Sequence, residues 1–122
     1  MHEMGIALQI IDIAKASIPA DADHPRVTRV HLNIGKLSAV VADSLRFCFD
    51  IAAKDTPLAE AELVITDIPV CARCRECGHQ WTLEGPAFSC PECQSGRIEL
   101  LSGRELDIES IEIEEEDHPH AV

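Results

Sequence analysis

Cys71-Ala-Arg-Cys74-Arg-Glu-Cys77-Gly-His79, answered further along by Cys90-Pro-Glu-Cys93-Gln-Ser-Gly96, decides how this chain is organised. Five of its six cysteines lie in these two stretches, and residues 1–47 contain none. A disulfide framework spreads its cysteines over a small secreted domain. Paired Cys-x-x-Cys knuckles are a metal pattern instead. Two intervening residues let both sulfurs and the amides between them wrap one ion, and Gly78 relaxes the turn that follows. Cys74, Cys77, Cys90 and Cys93 together supply four thiolates, the donor set of tetrahedral Zn²⁺. Cys71 offers a second register, Cys71-x-x-Cys74. We take Cys74 and Cys77 because Gly78-His79 follows them, as in many zinc knuckles. Cys71 is then a spare thiol at the entrance of the module. A redox Cys-x-x-Cys would be one exposed pair at a helix start after a strand.

The module, residues 71–100, holds few large apolar groups, among them Trp81, Leu83, Phe88 and Ile98. That is too little core to hold a fold alone, so zinc must carry it. Four thiolates leave no open position for a catalytic water, so the metal is structural and no enzyme is expected.

The flanking sequence reads as two helices and three strands. Ala7, Ile10, Ile11, Ala14 and Ile18 share one stripe at helical spacing, which predicts a helix over 4–18 closed by Pro19. Residues 20–25 read as a loop. Val30, Leu32 and Ile34 alternate with Arg29, His31 and Asn33, a half-buried strand over 27–35 that ends at Gly35. Asp43 or Ser44 is placed to cap a second helix running to about residue 54, with Leu45, Cys48, Phe49 and Ala52 as its buried stripe. Residues 61–68 form a second strand, stopped by Pro69, and residues 104–114 a third. In that last strand Leu106 and Ile108 are two apart, but Ile111 follows three later and then Ile113. A bulge is expected near Glu109-Ser110. The expected fold class is α/β: a small three-stranded sheet with two helices, plus an inserted zinc-ribbon-like module. Residues 1–70 and 101–122 would form the α/β domain and residues 71–100 the zinc-binding domain.

Ten Lys and Arg stand against 22 Asp and Glu, a formal charge of −12. Such a chain repels phosphate backbones and anionic lipid, so neither nucleic acid nor a membrane is an expected partner. With one Trp, three Phe and no Tyr it also lacks stacking platforms for bases. This weighs against the main alternative, a zinc-ribbon module for protein interaction or transcription. The acidic residues of the third strand read as a solvated edge or as a docking surface for a basic partner. No apolar run approaches a membrane span. Met1-His2-Glu3-Met4-Gly5 lacks the basic region and cleavage site of a signal peptide. The chain is expected to start at residue 1, in a reducing cytoplasm.

Met1-His2 can also be read chemically. A free α-amine, the amide nitrogen of residue 2 and Nδ1 of His2 can chelate one ion, and a deprotonated amide suits square-planar Ni²⁺ or Cu²⁺. His118 and His120 in the tail, and His79 beside the first knuckle, are further candidates for metal.

Met1-His2-Glu3-Met4 opening a helix, Ile34-Gly35-Lys36-Leu37-Ser38, Leu45-Arg46-Phe47-Cys48-Phe49-Asp50, the two knuckles and Ile111-Glu112-Ile113 follow one another in order. In this the chain resembles the HypA/HybF family of hydrogenase-maturation nickel chaperones. The resemblance implies a nickel-binding N-terminal domain, a structural zinc domain, and delivery of Ni²⁺ to a [NiFe]-hydrogenase large subunit together with the GTPase HypB. It implies His2 as principal nickel ligand, with the Met1 amine and the Glu3 backbone or carboxylate beside it. In some members a carboxylate follows soon after the Ser-Ala step, for which Asp43 is the nearest residue here. We expect a monomer or weak homodimer.

Overall fold

A computed structural model describes residues 2–84 and 88–115. The elements in chain order are α1 (Glu3–Ala16), β1 (Arg26–Gly35), a 3-10 turn (Lys36–Ser38), α2 (Ala42–Ala52), β2 (Glu62–Ile68), β3 (Cys71–Cys74), β4 (Gln80–Thr82), β5 (Ile98–Ser102) and β6 (Leu106–Glu114). They build two three-stranded sheets, ordered β2-β1-β6 and β4-β3-β5. The α/β class, the two helices and the three-stranded sheet with a cysteine module between its second and third strands in chain order agree with the expectation from sequence. The described residues divide into two compact units. One holds residues 2–32, 40–65 and 108–115; the other holds 33–39, 66–84 and 88–107.

In the first unit Ala7, Ile10, Ile11 and Ala14 of α1 and Leu45 and Phe49 of α2 are buried, as are Val27, Val30 and Leu32 of β1 and Leu63 of β2. The helix stripes follow 3.6-residue spacing, and between them they form the core. Cys48, expected to be buried, is half-buried.

Two helix ends differ from expectation. α1 stops at Ala16 because Ser17 closes it: its N–H and its Oγ both reach back to Ile13 O, at 3.1 and 2.9 Å. The turn is complete before Pro19 can act. α2 starts one residue before Asp43, with Val41 in the cap position and no side-chain capping bond. Asp43 and Ser44 therefore lie inside the first turn, where Asp43 faces the positive end of the helix dipole without capping it. Val41 N–H is directed at Glu3 Oε2, 3.4 Å away, so a carboxylate from the start of α1 meets the chain where it enters α2.

The polar side of the β2-β1-β6 sheet is laced by ion pairs. His31 Nε2 lies 2.6 Å from Glu112 Oε2 and Arg29 Nη1 lies 3.2 Å from Glu112 Oε1. The hydrogen bond from His31 holds the Glu112 carboxyl below the usual carboxylate range. Along β6 the half-buried residues are Ile108, Ile111 and Ile113, with the three-residue step between the first two, while Leu106 is exposed.

In the second unit the chain passes itself at close range. Gly35 N–H donates to Glu105 O at 2.7 Å and Leu37 N–H to Gly103 O at 2.8 Å. A Cβ on residue 35 would sit 2.1 Å from both the carbonyl carbon and the oxygen of Gly103. Both obstacles are backbone, so no rotamer change relieves the clash. Gly35→Ala is therefore expected to part these two segments and cost ~3 kcal/mol or more, at the upper end of overpacking effects. A urea midpoint within a few tenths of a molar of wild type would refute the contact.

Candidate metal centre

β3 delivers Cys74 to the start of the first knuckle. There Cys74 N–H donates to His79 O (2.8 Å) and Gly78 N–H to Cys74 O (2.9 Å). The second knuckle repeats the pattern: Cys90 N–H donates to Ser95 O (2.9 Å) and Gln94 N–H to Cys90 O (2.8 Å). The residue after each second cysteine takes a left-handed conformation, Gly78 at φ 79° and Gln94 at φ 62°. Glycine adopts it without cost and glutamine does not. Gln94 is a part of the site that sequence reasoning does not single out, because its role depends on the equivalence of the two knuckles.

The four sulfurs of Cys74, Cys77, Cys90 and Cys93 lie within 4.8 Å of one another. Cys74 and Cys93 approach to 3.5 Å, and Cys77 and Cys90 to 3.6 Å. Zinc–sulfur bonds of about 2.3 Å place the corners of a tetrahedron ~3.8 Å apart, near these two separations, so the set is consistent with a Zn²⁺ site. Backbone amides turn toward the same sulfurs, Glu76 N–H to Cys74 Sγ at 3.3 Å and Glu92 N–H to Cys90 Sγ at 3.4 Å. Such bonds orient thiolate ligands and spread their charge. Cys74 and Cys90 are 1% exposed, whereas Cys77 and Cys93 face outward.

Electrostatics alone gives this quartet no settled protonation state. The Cys77 amide, aided by that of Glu76, draws the Cys74 thiol down to about 7. At Cys93 the Ser95 amide also favours the thiolate, but the Cys74 sulfur and burial outweigh it and push the thiol up to about 12. Neighbouring sulfurs cannot all ionise together without a cation between them. A dication removes that conflict.

The remaining candidates lie elsewhere. Cys71 Sγ is 3.8 Å from Thr82 Oγ1 and its N–H donates to Ser102 Oγ (3.2 Å), so its thiol lies outside the quartet. Cys71→Ala is expected to keep one zinc per chain and to shift stability by less than ~1 kcal/mol, while Cys77→Ala loses the metal. Zinc counted by elemental analysis in both variants is the check. A Cys71→Ala chain without metal would reverse the register. His79 stacks on Trp81, with ring centroids 5.8 Å apart and planes 9° from parallel. His2 is exposed and occupies the cap position of α1, with no side-chain capping bond. Ile6 N–H donates to His2 O at 3.2 Å, so the carbonyl of His2 belongs to the helix ladder. Glu3 forms the first turn, with its carboxylate turned to Val41. Met1, His118 and His120 lie outside the described residues. Among the described residues the cysteine quartet is the one group of three or more potential ligands that converges.

The family described as hydrogenase/urease nickel incorporation, metallochaperone, hypA matches residues 1–113. A protein of Desulfosudis oleivorans named hydrogenase maturation factor HypA is 58% identical over 115 residues, 94% of this chain and 100% of its own. A protein of Streptomyces avermitilis with the same name is 44% identical over 116 residues, covering 94% of this chain and 88% of its own. The solution structure of the nickel metallochaperone HypA from Helicobacter pylori has the same fold, with a TM-score of 0.65 at 24% identity over 92% of this chain and 97% of that one. A second solution structure, of a HypA protein, gives a TM-score of 0.68 at 24% identity, covering 92% and 95%.

Proposed function

Because the chain belongs to the HypA family, we propose that it binds Ni²⁺ at Met1-His2-Glu3 and passes it to the large subunit of a [NiFe]-hydrogenase. The family is one of nickel-incorporation metallochaperones that serve hydrogenase maturation; its members are maturation factors and not enzymes. In this reading residues 1–70 and 101–122 carry nickel, residues 71–100 carry a structural zinc on Cys74, Cys77, Cys90 and Cys93, and the GTPase HypB is the working partner. The protein acts as a monomer or weak homodimer in the cytoplasm. Among the described residues no helix is long and apolar enough to cross a membrane.

The observation that supports the nickel site is the position of His2. It stands exposed at the mouth of α1, where the first amides have no intrahelical acceptor. Ionising such an amide to bind a metal breaks no ladder bond. The imidazole then closes a chelate that amine and amide could not hold alone. A site at a chain end is open to a receiving protein, which suits transfer over storage. Divalent copper prefers the same nitrogens, so selection for nickel falls to metal supply and to docking with the right partner.

The test compares untagged protein with protein extended before Met1, each with its zinc counted. Extension turns the amine into an amide. Nickel binding should be lost with one zinc per chain retained, and equal nickel affinity in the two forms would move the site elsewhere.

A further inference from the structure

We propose that the outer edge of β6 receives an extended segment of a partner protein in which apolar residues alternate with lysine or arginine. The inference does not depend on the nickel reading. It rests on three features of the first unit.

The strand order β2-β1-β6 places β6 at the rim of its sheet, and among the described residues no strand pairs with its far side. An edge strand presents a row of unpaired N–H and C=O groups. Proteins that do not use such an edge guard it with charged side chains, lysine above all, with proline, a bulge, a covering segment or short length, and the guards β6 carries, its carboxylates and the step between Ile108 and Ile111, repel acidic chains but not basic ones. β6 runs for nine residues with no proline and no lysine.

Charge alternates strand by strand across the polar face. Glu62 of β2 lies 3.9 Å from Arg29 of β1, and Arg29 lies 3.2 Å from Glu112 of β6. One step along, Arg26 of β1 lies 3.4 Å from Glu114 of β6, with Glu60, just before β2, at 3.6 Å on its other side. The columns run acidic, basic, acidic, and the last one has an open flank. Opposite charges on neighbouring strands stabilise a sheet and like charges oppose it. The next column is therefore basic. A second copy of β6 would set Glu112 and Glu114 against their own kind, so the same carboxylates disfavour self-pairing and select a different chain.

The opposite face asks for cover. Val27, Val30 and Leu32 of β1 are at most 1% exposed, but Ile108, Ile111 and Ile113 of β6 are only half-buried. An added strand would lay its apolar residues beside these isoleucines and its basic residues beside Glu112 and Glu114. Main-chain hydrogen bonds would supply affinity, and the two side-chain columns would fix register, as in other strand additions.

The experiment uses the zinc-loaded full chain, isotopically labelled, with three synthetic peptides. One alternates valine and lysine, one alternates valine and glutamate, and one is the first with a central proline. The valine–lysine peptide should shift the amides of residues 108–114 and slow their exchange, and its affinity should fall as salt rises. Glu112→Gln with Glu114→Gln, which keeps shape and removes charge, should weaken binding roughly tenfold by loss of two cross-strand pairs. The other two peptides should fail to bind at β6. Equal binding by the valine–glutamate peptide would overturn the charge assignment, and equal binding by the proline peptide would overturn strand pairing. Shifts confined to other elements, or self-association of the free chain through β6, would overturn the surface itself.

Discussion

His2→Ala should abolish nickel binding and leave both zinc content and fold unchanged. The fold is indifferent because His2 makes no capping bond and is exposed, and its carbonyl, the one group it gives the α1 ladder, survives the substitution. Nickel is not indifferent, because the imidazole is the group that closes the proposed chelate. Groups that only support a metal ligand are worth ~10–100-fold in affinity, so removing the ligand itself should cost more than ~100-fold. Glu3 separates backbone from side-chain ligation. Its carboxylate already faces Val41 N–H at the entrance to α2. Glu3→Gln keeps an acceptor there and should retain most nickel affinity if residue 3 contributes its amide alone. Nickel titration of untagged wild type, His2→Ala and Glu3→Gln, with helicity measured on each, reads all of this. Wild-type affinity in His2→Ala would place the nickel elsewhere in the chain, with His79 the first residue to examine.

What could be read in the sequence were features whose cause is local. The stripe from Ala7 to Ala14 specifies a helix through its own spacing, and the alternation from Val30 to Ile34 specifies a strand. The two knuckles bring their four sulfurs within 4.8 Å because each is a self-contained turn. Features set by contact with distant residues were not legible. Capping preference places the start of α2 at Asp43 or Ser44, yet a carboxylate from α1 meets the chain at Val41, one residue ahead of the helix. Pro19 predicts the stop of α1, but Ser17 ends it first. Gly35 ends β1 as its sequence predicts, but the reason a side chain is excluded there, the backbone of Gly103, lies in a distant segment. The second sheet was hidden for a different reason. Cys71–Cys74 and Gln80–Thr82 are four and three residues long, with no alternation to reveal them as strands. They pair antiparallel, with Ala72 opposite Trp81, and the turn that joins them is built on Cys74 and Cys77.

Cys90→Ser, or removal of zinc by a strong chelator, should unfold the cysteine module while α1 and α2 persist. The ribbon has almost no core of its own. Among its described residues Val70, Ala72, Cys74 and Cys90 are the buried ones apart from glycine and the 33–39 segment, and Trp81, Leu83, Ile98 and Leu100 are only half-buried. Burying a valine or leucine side chain is worth ~1.5–3 kcal/mol, so this set offers little against the entropy of ordering three short strands. Structural zinc contributes ~10–16 kcal/mol in comparable small sites. Zinc on the quartet would thus replace the core that the sequence lacks. Cys90 is the sharper substitution because it is fully enclosed and starts its knuckle with the amide bond to Ser95 O. A serine there offers a harder, less readily ionised donor to the ion. Zinc uptake must displace thiol protons, above all at Cys93, so affinity should fall as pH falls. Trp81, the single tryptophan, lies on β4 against His79 and reports the change by fluorescence. Far-ultraviolet helicity should hold, Trp81 emission should shift to the red, and X-ray absorption of wild type should show sulfur neighbours only. A metal-free chain with unshifted Trp81 emission and intact β3–β5 amide protection would mean that the ribbon folds without zinc.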